Sequence, residues 1–215
     1  MTGRDPGRGN ALPVTLDRGY FRAQYAASAD PWGLAERWYE SRKYALSLAL
    51  LPREHYGTAF EPGCSIGVFT ARLAPRCGTL VACDTVAEAV EAARKRTAGL
   101  PGVRVEQRVI PGQWPPGSFD LVVLSELLYY FGGGDLDRVI SLGTRALRPG
   151  GHLLAVHWRH PAPDYPATGD TVHQALDSCR GVVRLAGYRD LDFIAGVYAC
   201  ADGDLRSVAQ AEGIV

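Results

Sequence analysis

The chain has 215 residues, 47% hydrophobic and 21% charged, an ordinary globular mix that excludes a fully disordered polypeptide and fits one domain. Lys plus Arg equal Asp plus Glu, 23 against 23, so a surface built to hold nucleic acid or an anionic membrane is not expected. No apolar run approaches the ~20 residues of a membrane span, and the start lacks the apolar stretch of a secretory signal. The five cysteines follow no zinc or C-x-x-C spacing and read as reduced thiols of a cytoplasmic protein.

Residues 1–13, rich in Gly, Arg, Asp and Pro, read as a flexible arm. Residues 14–56 read as a helical cap. It holds one helix near Leu16–Ala27 and a second from Asp30-Pro31, a cap and a first-turn proline, to about Leu51 before Pro52. The apolar positions of the second helix, Leu34, Trp38, Ala45, Leu48 and Ala49, fit one face only roughly.

Residues 57–201 then alternate strands and helices. A strand is expected at Thr58–Glu61, a helix at Val68–Ala74, a strand at Thr79–Cys83 and a helix at Val86–Thr97 with Glu91 and Lys95 at i,i+4 spacing. Val103, Val105 and Val109 suggest a third strand, and Phe119–Ser125 is the clearest strand of all. An amphipathic helix spans Asp135–Leu147, and Pro149-Gly150-Gly151 turns the chain into the strand Leu153–His157. A helix at Asp170–Ser178, with Asp170 as its cap, and strands near Val182–Leu185 and Leu191–Cys200 follow, and 202–215 reads as a tail. This order is the grammar of an α/β, Rossmann-like fold, a mostly parallel sheet with helices on both faces.

In such sheets ligands sit at the carboxyl ends of the strands, where strand order reverses. The residues there are Glu61–Gly67, Asp84, Val109–Ile110, Ser125–Glu126 and His157–Trp158. A dinucleotide site wants G-x-G-x-x-G/A. Counted from Gly63, the second place is Ser65 and the third is Val68, and a carboxylate at Glu61 would repel a pyrophosphate. S-adenosylmethionine (SAM) carries no phosphate but an ammonium and a sulfonium, which suit Glu61. Gly63 and Gly67 let the backbone approach closely, and Asp84 can accept both ribose hydroxyls. A plain tight strand–helix turn is the alternative for the glycines alone.

E-x-G-x-S-x-G (61–67), the strand-ending Asp84, FDLVVLSELLYYF (119–131) and LRPGGHLLAVHW (147–158) together resemble the class I SAM-dependent methyltransferases. The chain departs from their pattern at Ser65, where glycine is usual. DPWG (30–33), WYESRKYALSLALLP (38–52), EPGCSIGVFTARLAPRC (61–77), WPPGSFDLVVLSELLYY (114–130), HLLAVHWRHP (152–161) and DYPATGD–VH (164–173) resemble the nodulation protein S family more closely. The resemblance implies a seven-stranded sheet and an N-methyltransferase. The family's namesakes act on the deacetylated glucosamine end of a chitooligosaccharide.

Methyl transfer from a sulfonium needs alignment and a dry pocket more than catalytic side chains. Glu126 is a candidate base or ammonium ligand, or else a helix-start carboxylate. His157 is a second candidate at the same mouth, with a hydrogen-bonded structural role as its alternative. His173 reads as structural. Tyr129, Tyr130, Trp158 and Arg159 are candidate acceptor contacts, with core packing the alternative for the tyrosines. Trp32, Trp38 and Tyr39 are candidates for a lid, and Arg42 for the methionine carboxylate of SAM. Val109 and Ile110 would flank the adenine, with Gln113 near its amine, while Thr85 and Ser125 complete the SAM set. No metal is expected. The reading is a methyltransferase for a small molecule, most naturally the nitrogen of an amino sugar or similar amine. An O-methyltransferase of a secondary metabolite, an RNA methyltransferase, a SAM-binding protein without turnover and an NAD-dependent oxidoreductase are its rivals.

Overall fold

The structure is a computed structural model and describes residues 14–202 and 205–215; the arm expected at 1–13 lies outside them. Seven strands form one sheet: β1 (Tyr56–Pro62), β2 (Cys77–Asp84), β3 (Val103–Gln107), β4 (Phe119–Ser125), β5 (Leu147–Trp158), β6 (Val182–Arg189) and β7 (Phe193–Cys200). Their order is β3-β2-β1-β4-β5-β7-β6. The first five are parallel, and β7 runs antiparallel to both its neighbours. The order reverses between β1 and β4, so a crevice opens beyond their carboxyl ends.

Side chains alternate across the sheet and build a core on each face. Leu121 and Val123 of β4 join Leu154, Val156 and Phe193 on one face. Val122 and Leu124 join Phe60, Leu153 and Leu128 on the other. Helices α1 (Arg18–Ala27), α2 (Trp38–Leu50), α3 (Val68–Leu73), α4 (Ala87–Thr97), α5 (Gly133–Arg145), α6 (Gly169–Asp177) and the short α7 (Val208–Ala211) cover these faces and the sheet's ends.

Several boundaries differ from expectation. The second helix starts at Trp38, not at Pro31. Asp30 accepts from the amides of Leu34 and Ala35, closing a turn, and Gly33 sits at φ +66°, which no helix continues through. Strand three stops at Gln107 and leaves Val109 in a loop. The expected turn at Pro149-Gly150-Gly151 lies inside β5, which begins at Leu147. A register shift absorbs it: Phe119 pairs with Leu147, but Leu121 pairs with His152. The cap of α6 is Thr168, whose side chain accepts from the Thr171 amide; Asp170 instead pairs with Arg159.

Candidate active site

The crevice begins at the turn after β1. Gly63 and Gly67 adopt φ +75° and +76°, and Ser65 between them is also left-handed at +50°. A Cβ on Gly63 would lie 2.9 Å from Leu127 Cδ1, and one on Gly67 would lie 2.9 Å from the Ala93 backbone, so both positions need glycine. Ser65 carries a conformation costing about 1–2 kcal/mol for a side-chain residue, and its hydroxyl bonds the Tyr25 hydroxyl of α1 at 2.5 Å. Four of the loop amides are already used. Gly63 and Cys64 both donate to the Cys83 carbonyl, Gly67 donates to Cys64, and Ser65 donates to Asp84 Oδ2 at 3.0 Å. Asp84 Oδ1 accepts from the Val86 amide.

A cavity of about 390 Å³ lies over this turn. Its floor is Glu61, Gly63, Ser65, Asp84 and Thr85, and its sides include Val109, Ile110, Ser125 and Glu126. The N-terminal segment roofs it. The Leu16 amide donates to the Tyr130 carbonyl, Thr15 bonds Asp135 at 2.7 Å, and Trp32 meets the Tyr25 ring edge-on. Glu61 is 3% exposed, and Oε2 has no hydrogen-bond partner. Burial pushes its carboxyl up to about 8, opposed by the Thr70 hydroxyl. Burial also raises Asp84, against the amides of Val86, Ser65 and Thr85. The Thr85 hydroxyl is likewise buried and unpartnered.

A second cavity, of about 580 Å³, shares Trp32, Leu34, Glu126 and Tyr130 with the first. Glu126 therefore stands between the two, at φ +52°, a strained backbone of the kind that clusters at functional sites. Tyr129 donates a short hydrogen bond to Glu126 Oε2. Lys43 Nζ lies 3.1 Å from Glu126 Oε1 and 2.8 Å from Glu40 Oε2, and it donates to Glu40 Oε1 at 3.0 Å. Burial alone would push the Lys43 ammonium down, but the Glu126 and Glu40 carboxylates outweigh it and hold it above its ordinary value. Burial raises Glu40, with Lys43 opposing.

The structure brings most of the candidate residues together and separates five. Trp38 is 77% exposed and lines neither cavity, whereas Trp32 lines both and Tyr39 lines the second. Arg42 turns away to Asp190 at 2.9 Å and to the Tyr188 hydroxyl, and cannot hold a ligand carboxylate in the crevice. Arg159 is taken up by Asp170 and by the Asp190 carbonyl. His157 does not face the mouth; it is fully buried. It accepts from the Leu128 amide on Nε2, and Nδ1 meets His173 Nε2 at 3.2 Å. Burial, then His173, push it well below the usual imidazole range, so it is neutral and anchors the Glu126–Tyr130 loop. Gln113 folds back to accept from the Val109 amide. Tyr129, Tyr130 and Trp158 line the second cavity, and the two tyrosines are also buried in the core.

The sequence profile of the nodulation protein S (NodS) family matches residues 19–148. The chain belongs to that family. Nodulation protein S of Rhizobium tropici is 34% identical over 130 residues, 60% of this chain and 55% of that protein. That of Bradyrhizobium diazoefficiens is 35% identical over 102 residues, 47% and 49% of the two chains. The chain thus spans about half the length of these curated relatives. Among solved structures, a candidate methyltransferase from Pseudomonas syringae is 47% identical, with a TM-score of 0.68, covering 76% of this chain and 99% of that one. The N-methyltransferase NodS of Bradyrhizobium japonicum WM9, in complex with S-adenosyl-L-homocysteine (SAH), is 25% identical with a TM-score of 0.76, covering 85% and 97%. The family match takes in the whole floor of the first cavity. It stops short of Trp158, His160, Tyr165 and Asp192, which form the outer wall of the second.

Glu40 and Lys43 were not singled out from the sequence. Their signal lies in the ragged apolar stripe of α2, whose buried face is Glu40, Lys43, Tyr44 and Ser47, while Ala45 and Ala49 face solvent.

Proposed function

We propose that this protein is a SAM-dependent methyltransferase of small molecules that methylates the nitrogen of an amino sugar or a similar amine. The observation that carries the reading is the floor of the first cavity. The amides of Gly63, Cys64, Ser65 and Gly67 are spent on protein acceptors, while the buried carboxyls of Glu61 and Asp84 stand at the floor, Glu61 Oε2 without a partner. That is a site for a cationic nucleoside rather than a pyrophosphate. The family relative bound to SAH supports the same occupant.

Glu61 would hold the amino group of SAM and Asp84 its ribose hydroxyls, with Thr85 and Ser125 beside them. Gly63, Ser65 and Gly67 shape the turn beneath, Val109 and Ile110 flank the base, and Trp32 closes over it. Bound there, SAM supplies a methyl group on a sulfonium whose loss leaves a neutral thioether. Glu126 Oε1 takes the proton that an acceptor ammonium must shed to expose its lone pair, while Tyr129 holds Oε2. Tyr129, Tyr130 and Trp158 would contact the acceptor. No helix among the described residues is long and apolar enough to cross a membrane. Five unpaired cysteines support work in the cytoplasm.

Calorimetric titration with SAM and SAH, set against NAD, tests the donor. Micromolar binding of SAH is expected, and NAD binding in its place would overturn the reading. A screen with labelled methyl donor over amino sugars, small amines, phenols and RNA tests the acceptor. Label on phenols or RNA alone would overturn the amine.

A further inference from the structure

The second cavity has six aromatic walls, Trp32, Tyr39, Tyr129, Tyr130, Trp158 and Tyr165. Its charged lining is Glu40, Glu126 and Asp192 against Lys43 and Arg37, with His160 bonded to Asp192 at 2.8 Å. Three carboxylates against two cations leave one negative charge uncompensated. The buried Tyr39 hydroxyl in these walls lacks a hydrogen bond. Glu40 Oε2 and Glu126 Oε1 each face the Lys43 ammonium, at 2.8 and 3.1 Å, and each keeps a lone pair for a further donor. Buried polar atoms without partners call for an explanation.

We propose that Tyr39 and Glu40 are specificity-determining residues for the acceptor, forming with Glu126 a receptor for a primary ammonium whose body stacks on the aromatic walls. This rests on the methyltransferase reading and deepens it. An ammonium brings one positive charge for the one missing charge, and N–H donors for the Tyr39 hydroxyl and for the remaining lone pairs of Glu40 and Glu126. Aromatic faces favour a cation and stack a flat or ring-shaped body. A hydroxyl in its place supplies one donor and no charge, so it leaves the negative charge uncompensated, the kind of mismatch on which polar sites reject analogues. Neither Tyr39 nor Glu40 touches the first cavity, so this selection is separable from donor binding.

The test is calorimetry near pH 7 with two isosteric pairs, benzylamine against benzyl alcohol and glucosamine against glucose, each with and without SAH. The wild-type protein is expected to bind each amine at least about tenfold more tightly than its hydroxyl twin. Glu40→Gln and the milder Tyr39→Phe are each expected to cut that preference several-fold with SAH affinity unchanged. Equal binding of amine and alcohol, no amine binding at all, or a preference untouched in both variants would overturn the proposal. Failure of SAH to bind overturns the donor reading instead, and the titrations without SAH still decide this one.

Discussion

Lys43→Met removes a cation that is only 2% exposed and leaves a side chain of similar length. At about 3 Å and an effective dielectric of about 20, one Lys–carboxylate contact is worth roughly 5 kcal/mol of attraction before desolvation is charged against it. Lys43 makes two such contacts, to Glu40 and Glu126, whose side chains are 7% and 21% exposed. Burying the ammonium takes back much of this gain. The variant, however, strands both carboxylates, and losing one partner of a buried pair costs about 3–5 kcal/mol. For a chain of this size, each kcal/mol moves Tm by about 2–4 °C, so a fall of roughly 6–20 °C is expected.

Thermal unfolding followed by circular dichroism, at several pH values, measures this fall. The sign of the pH dependence follows from Glu40, which burial already raises while Lys43 opposes the rise. Without Lys43 its folded pKa climbs further above the unfolded value. The folded variant then binds a proton that the unfolded chain has released, and its deficit shrinks as pH falls toward the ordinary carboxylate range. Adding Glu40→Gln to Lys43→Met should restore part of the loss, a non-additivity above about 1 kcal/mol. A Lys43→Met protein within about 1 kcal/mol of wild type, or a deficit that grows on acidification, would refute the charge argument.

Three further outcomes follow from the site. Glu61, at about 8, carries a proton near neutrality in the unliganded protein; its stabilising contribution is full below the ordinary carboxylate range and is lost as pH rises through about 8. A bound SAM ammonium would pull that pKa down, so the binding enthalpy should reveal release of nearly one proton in buffers of different ionisation heat, and Glu61→Gln should abolish the release. A buffer-independent enthalpy in the wild type would count against Glu61 as a ligand. Asp84→Ala removes the acceptor of both the Ser65 and Val86 amides along with the proposed ribose contact; SAH affinity should drop at least about 100-fold, and near-normal affinity in calorimetry would remove the role. Glu126→Gln should lower kcat by about two orders of magnitude or more with SAH affinity intact, and unchanged turnover would remove it as the base.

The fold was legible because its signals were redundant. FDLVVLS at 119–125 is apolar on alternate residues toward both faces, as a strand buried on both sides must be. Gly63, Gly67 and Asp84 fall where the turn and the end of β2 need them. The errors arose where a local rule met a tertiary contact. Asp30-Pro31 carries a helix-start signature, but Asp30 spends both oxygens on a closed turn and Gly33 reverses the backbone. Pro149-Gly150-Gly151 is turn chemistry that a register shift accommodates within β5.

The turn after β1 was readable for the same reason that the second cavity was not. A turn that must approach a ligand closely imposes glycine and left-handed backbone on the sequence, and even the departure at Ser65 occupies the conformation that glycine would favour. The second cavity imposes nothing so local: its walls come from α2, the loop after β4, the end of β5 and the loop before β7, and only the folded chain brings them together. His157 shows the cost, since its position at the end of β5 suggested a catalytic base while its ring points into the core toward His173. Lys43 shows the signal that was available. The chain uses 21 arginines and two lysines, and one of those lysines lies buried between two carboxylates, where a compact ammonium fits and a broad guanidinium fork does not. Its burial turns the inner face of α2 polar, and that face blurred the apolar stripe from which the helix was read.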